Sequence, residues 1–159
     1  MFDATCLPVI EEEHTPFGAG HRMISGAAER NGWLYLFVWL EGDDPDVRTY
    51  AVYPMDDQLR FGDSIAFFTL AKGHSLADTA ACGDGFLFTE YYPWEWQQPS
   101  RNALSFLSMD GTLTRLAPEL IFPRNDKAHL LPGTDEDHAL IILRDGADKA
   151  HHLQKYKAE

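Results

Sequence analysis

Residues Gly20 to Phe37, GHRMISGAAERNGWLYLF, return in altered form as Gly73 to Glu90, GHSLADTAACGDGFLFTE. Gly-His, Ala-Ala, a turn dipeptide and Gly-aromatic-Leu-aromatic fall in register without a gap at an offset of 53, with six identities in 18 positions. Six matches are within reach of chance, so the continuation matters. Tyr50 to Phe61, YAVYPMDDQLRF, matches Leu104 to Leu116, LSFLSMDGTLTRL, with Met55-Asp56 over Met109-Asp110 and Leu59 over Leu113, an offset of 54. A third, degenerate copy starts at Ala128-His129, passes the acidic turn Thr134 to Asp137 and enters the apolar run His138 to Leu143. A period of this size means that one supersecondary unit recurs. Three copies of about 53 residues account for the 159 residues.

Within each copy the residues favour strands. Trp33 to Leu40 follows Asn31-Gly32 and Gly85 to Tyr92 follows Asp84, so turn residues open runs of aromatic and β-branched side chains. A second strand is expected over Val47 to Tyr53, Ala103 to Ser108 and about Lys149 to Tyr156. In the first two copies a Met-Asp turn leads to a third, such as Thr112 to Leu116. Arg22 to Ala28 and Ser75 to Ala81, if extended, complete four strands per copy. Residues 33–40 are apolar on both faces, which suits a strand held between two layers. Helical periodicity is weak, and only Ser75 to Ala81 and Lys149 to Lys157 qualify as helix candidates. The pattern predicts one all-β domain over 1–159, built from three antiparallel four-strand repeats.

Gly20-His21 and Gly73-His74 resemble the Gly-His that precedes the innermost strand of a WD-type repeat, and MDGTLTRL resembles the hairpin between a blade's outer strands. The chain therefore resembles a β-propeller repeat protein, with His21 and His74 as turn markers. Propellers close with four to eight blades, so the resemblance implies either two chains completing a six-bladed ring or an irregular stack. A β-trefoil, whose threefold repeat suits this length, is the alternative.

The chain carries 25 acidic against 13 basic residues, a net charge of -12. That balance disfavours nucleic-acid backbones and anionic membranes, which need a cationic face, and favours a basic protein partner. Cys6 and Cys82 form no C-x-x-C and read as small buried hydrophobes in a reducing compartment. The first ten residues lack a basic segment followed by an apolar one, and no apolar run reaches membrane-spanning length, so a cytoplasmic location is expected.

Two motifs invite a catalytic reading. Gly62-Asp63-Ser64-Ile65 resembles the nucleophile block of GDS-type serine esterases, with Asp135 and His138 as the other triad members. The simpler expectation makes Asp63-Ser64 a turn before a strand over Ile65 to Leu70. The seven histidines include no H-E-x-x-H or H-x-H pair. A three-histidine site from His21, His74 and His129 is outweighed by their role as repeat markers. No metal or other cofactor is expected.

The copies differ most in their loops. The first carries Glu41, Asp43, Asp44 and Asp46, and the third carries Asp135, Glu136 and Asp137. The second carries Tyr91, Tyr92, Trp94 and Trp96 in a loop restricted by Pro93 and Pro99, and such aromatic residues anchor protein interfaces or stack on sugars. The expected function is thus a non-catalytic, acidic inhibitor or immunity-type protein that neutralises a basic toxin or enzyme. A carbohydrate-binding module and the serine esterase are the rival readings.

Overall fold

The computed structural model describes residues 21–92, 100–122, 128–133, 135, 137–144 and 151–157. Asn31 and Gly32 adopt φ of 53° and 78°, the left-handed pair that a two-residue hairpin needs. That turn joins β1 (His21–Arg30) to β2 (Trp33–Leu40), and β3 (Thr49–Met55) and β4 (Ala66–Thr69) continue a meander in the order β1-β2-β3-β4. A second meander follows in the order β5-β6-β7-β8: Ser75–Cys82, Gly85–Tyr92, Ser100–Ser108 and Leu113–Phe122. The third sheet is β11-β10-β9, from β9 (His129–Pro132), β10 (His138–Arg144) and β11 (His151–Lys157). The protein is all-β, with three antiparallel sheets.

The first two sheets repeat in hydrogen-bonded register. Ile24↔Val38, Gly26↔Phe37, Leu34↔Met55 and the bridge Met55↔Phe61 become Leu76↔Glu90, Asp78↔Thr89, Phe86↔Leu107 and Leu107↔Leu113, each partner 52 residues on. The β-bulge recurs too, between Ile24 and Gly26 and between Leu76 and Asp78. The structural period is therefore 52. The offset of 53 seen at Gly-His arises because β1 has an additional register shift between His21 and Met23.

Two expectations are corrected. The third sheet has three described strands, not four. Both helix candidates are extended: Ser75–Cys82 pairs with β6 and His151–Lys157 with β10, so cross-strand pairing of half-buried side chains overrides weak helical propensity.

The sheets stack through their faces. Tyr35, Phe37, Tyr50 and Phe68 of the first meet Phe86, Phe88 and Leu107 of the second in one buried cluster. Phe37 meets Phe86 edge-on with ring centroids 5.5 Å apart. The opposite face of the second sheet, through Leu87 and Leu104, meets Leu130, Ala139 and Ile141 of the third. The first strands of the units lie side by side. Gly26 lets β5 approach, since a Cβ there would stand 2.9 Å from Leu76 and Thr79, and Thr79 donates to the Ala27 carbonyl at 2.9 Å. Asp78, which takes the place of Gly26 in β5, accepts from the Leu130 amide at 3.1 Å. The two-sided apolar run is as its sequence implies, with Tyr35, Leu36, Phe37 and Val38 all buried.

Candidate functional site

The segment linking the first sheet to the second folds back on the acidic hairpin. Gly73, with φ of 79°, donates its amide to the Asp46 carbonyl at 2.7 Å, and the Leu70 amide reaches the Arg48 carbonyl at 3.0 Å. Lys72 is thereby held among the acids: its Nζ lies 3.3 Å from Asp44 Oδ2 and 3.6 Å from Asp46 Oδ2. The Asp46 amide donates to Asp44 Oδ1 at 2.9 Å. That amide, with Lys72, holds the Asp44 carboxyl below its ordinary range, and the Asp44 bond in turn raises Lys72.

Beside this hairpin stands Tyr92. Gly73 has no room for a side chain, because a Cβ would lie 2.5 Å from Tyr92 Cε2. Pro45, Asp46, Arg48, Lys72, Gly73 and Tyr92 line a cleft of about 280 Å³ at the junction of the first two sheets. Arg48 lies over the Trp39 ring, 4.7 Å from its centroid.

Beneath the cleft lies a group that the sequence reading did not single out. Glu90 points the same way along β6 as Phe86 and Phe88, and it is 2% exposed. Its carboxylate accepts from Ser105 Oγ at 2.7 Å and from Arg115 Nη2 at 2.9 Å, and lies 3.1 Å from His74 Nδ1. The His74 ring also rests against Tyr92, with centroids 5.4 Å apart. His74 is thus more than a turn marker, since it ties the cleft wall to a buried carboxylate. The equivalent of Glu90 in the first sheet is Val38, which is fully buried. The available signal was a lone acid inside an otherwise uncharged strand, GFLFTEYY.

The predicted site residues do not form one surface. Asp46 and Tyr92 share the cleft, Asp44 is tied to it by Lys72, and Glu41 and Asp43 are exposed on the same hairpin. Tyr91 points to the other face of β6, and burial raises its hydroxyl pKa. Trp94, Trp96 and Glu136 lie outside the described residues. Asp135 and Asp137 belong to the connection between β9 and β10, which occupies the end of the third sheet that the β1–β2 turn occupies in the first. They therefore sit at the opposite end of the strands from the acidic hairpin. There Asp135 lines a separate cavity of about 330 Å³ with Glu29, Arg30 and Gly133. It is hydrogen-bonded to His138, which lowers its pKa. The Asp137 carbonyl accepts from the buried Cys82 thiol at 3.3 Å.

The esterase motif divides between sheets. Ser64 precedes β4 and gives its hydroxyl to the Ala66 carbonyl at 3.0 Å, while His138 and Asp135 belong to the third sheet. His74 and His129 face different carboxylates, Glu90 and Asp78. Among the described residues no three of His, Cys, Asp and Glu gather as a metal would require, and no helix is long and apolar enough to cross a membrane. Comparison with protein-family models, curated proteins and solved structures finds no match.

Proposed function

We propose that this chain is a non-catalytic binding protein for a basic protein partner, of the inhibitor or immunity type, working in a reducing cytoplasm. The observation that carries the reading is the cleft where the 41–48 hairpin meets Tyr92. It sets the acidic 41–46 hairpin beside an aromatic wall, with Lys72 bridging Asp44 and Asp46 and Arg48 also in the lining, on a chain whose net charge is -12. Asp43 stands exposed, while Asp44 and Asp46 are ordered by Lys72 and the linker, so a partner's cation would add to or displace the Lys72 ammonium on carboxylates already held in place. Long-range attraction would speed its encounter, and Tyr92 supplies an anchor of the kind found at interface centres. The stacked sheets, each paired only within itself among the described residues, support a propeller-like arrangement over a trefoil.

The test is co-purification of tagged protein from its native cells, with the retained protein identified by mass spectrometry. A basic partner whose retention falls with added salt is expected. Replacing Asp43, Asp44 and Asp46 by Asn, or Tyr92, Trp94 and Trp96 by Ala, should abolish retention. Retention unchanged in both variants would dismiss the surface, and a partner of acidic character would dismiss the charge argument.

A further inference from the structure

We infer that the cleft beside Tyr92 binds a small monocarboxylate with a flat apolar body, and that Arg48 receives its carboxylate. This goes beyond the binding of a protein partner and needs only the cleft. Arg48 directly precedes β3, and its backbone is fixed where its carbonyl accepts the Leu70 amide at 3.0 Å. One face of its guanidinium lies over Trp39, 4.7 Å from the ring centroid. That contact offsets positive charge through the ring face but supplies no acceptor for the N–H groups, which lie in the guanidinium plane. Arg48 is half-buried, yet among the described residues it makes no ion pair and its side chain donates no hydrogen bond. The Tyr92 hydroxyl, in the same lining, likewise has no acceptor among the described residues.

The other cation of the lining, Lys72, is held by Asp44 and Asp46. Arg48 is therefore the cleft's cation without a counter-ion. A guanidinium presents parallel N–H groups that match the two oxygens of a carboxylate, and a tyrosine O–H donates to the same kind of acceptor. The neighbouring acids set the ligand's charge. Asp46 in the lining and Asp44 behind Lys72 would repel a phosphate dianion, whereas a planar monoanion meets one unmatched cation. Pro45 and the Tyr92 ring offer apolar surface to a flat body.

The cleft's volume of about 280 Å³ puts it at the small end of ligand sites, so the acid is compact and not a long chain. Held by one charged fork and one ring, such a ligand should bind with a dissociation constant on the order of 1 mM.

Titration of the purified, nitrogen-labelled chain with benzoate at constant ionic strength, followed by NMR, tests this. Saturable shifts are expected at the Arg48 side-chain N–H, the Trp39 indole and the Gly73 amide. Benzamide has the same shape without the charge and should bind at least about tenfold more weakly, and Arg48→Gln should weaken benzoate binding as much. Arg48→Lys, which keeps the charge but not the fork, should fall between, and Tyr92→Phe should cost about threefold. The α-amide of N-acetylglutamate carries a protein's carboxylate without a flat body and should bind about tenfold more weakly than benzoate. Equal or tighter binding of that compound would assign the cleft to a protein carboxylate and overturn the small-acid assignment. No shifts at these groups up to about 50 mM benzoate, benzamide binding as well as benzoate, or shifts unchanged in Arg48→Gln overturns the proposal equally. Because the titration uses the purified chain alone, it and partner retention fail independently.

Discussion

Ser105→Ala removes one oxygen from a side chain that is 1% exposed, and that oxygen is the donor to Glu90 Oε1 at 2.7 Å. Arg115 bonds Oε2 and His74 also lies beside that oxygen, so the substitution leaves Oε1 of a buried carboxylate without its serine donor. A hydrogen bond to a charged group is worth about 1.5–3 kcal/mol, so Ser105→Ala should cost about 2 kcal/mol. For a chain of this size, that lowers the unfolding midpoint by roughly 4–8 °C. The informative comparison uses Glu90→Val, which installs the residue already accepted at Val38 and has nearly the volume of glutamate. In that background the Ser105 hydroxyl has lost its acceptor, and removing it should be neutral or stabilising. The two substitutions should therefore couple by about 2 kcal/mol. Urea unfolding followed by tryptophan fluorescence, with all four proteins in one series, measures this. Additivity to within about 0.5 kcal/mol would refute the inference that this bond helps hold the cluster together.

Two further outcomes follow from other positions. Gly85→Ala should prevent a stable second sheet, because its Cβ would lie 2.2 Å from the Leu107 carbonyl oxygen and 2.9 Å from Ser108 Cα. A cooperative urea transition near that of the wild type would contradict the geometry. Asp44, Asp56, Asp110 and Asp135 all have carboxyl pKa values held below 3.8, Asp56 chiefly by the Arg60 amide and then its side chain, Asp110 chiefly by the Ser108 hydroxyl. Folded values below the unfolded ones mean that the stability they contribute is complete above about pH 4 and lost as pH falls through the folded values. Thermal melts should stay level from about pH 6 to 4 and fall below that, with a shallower fall in Asp56→Asn. An unchanged acid limb in that variant would count against Asp56.

The strand content was legible because Trp33–Leu40 and Gly85–Tyr92 combine turn residues with two-sided apolar runs, and nothing but a strand between layers satisfies both. The register was not fully legible. Gly32 and Gly85 align in sequence, yet Gly32 supplies a left-handed φ and Gly85 supplies room against Leu107. The alignment thus ran one residue off the structural period. The acids of the third unit stand apart from the 41–46 hairpin for a related reason. Asp135 and Asp137 resemble the 41–46 hairpin in composition, but loops of a meander alternate between ends, and theirs follows a first strand rather than a second. Glu90 escaped notice because its partners, His74, Ser105 and Arg115, come from three other segments that only pairing brings together.

The meander topology also orders how the molecule comes together and apart. Every described strand pairs with a strand adjacent to it in the chain, so each sheet closes through short loops before any sheet must find another. Folding in such a chain proceeds by units that form and then dock. The second sheet alone has both faces against other sheets within the described residues, so its amides should exchange with solvent last. The first and third each meet a sheet on one side only, but the third's other face carries exposed Leu131 and Leu153 where the first's carries buried Leu36 and Val38, so the third should open first, which makes the middle repeat the kinetic keystone of the domain.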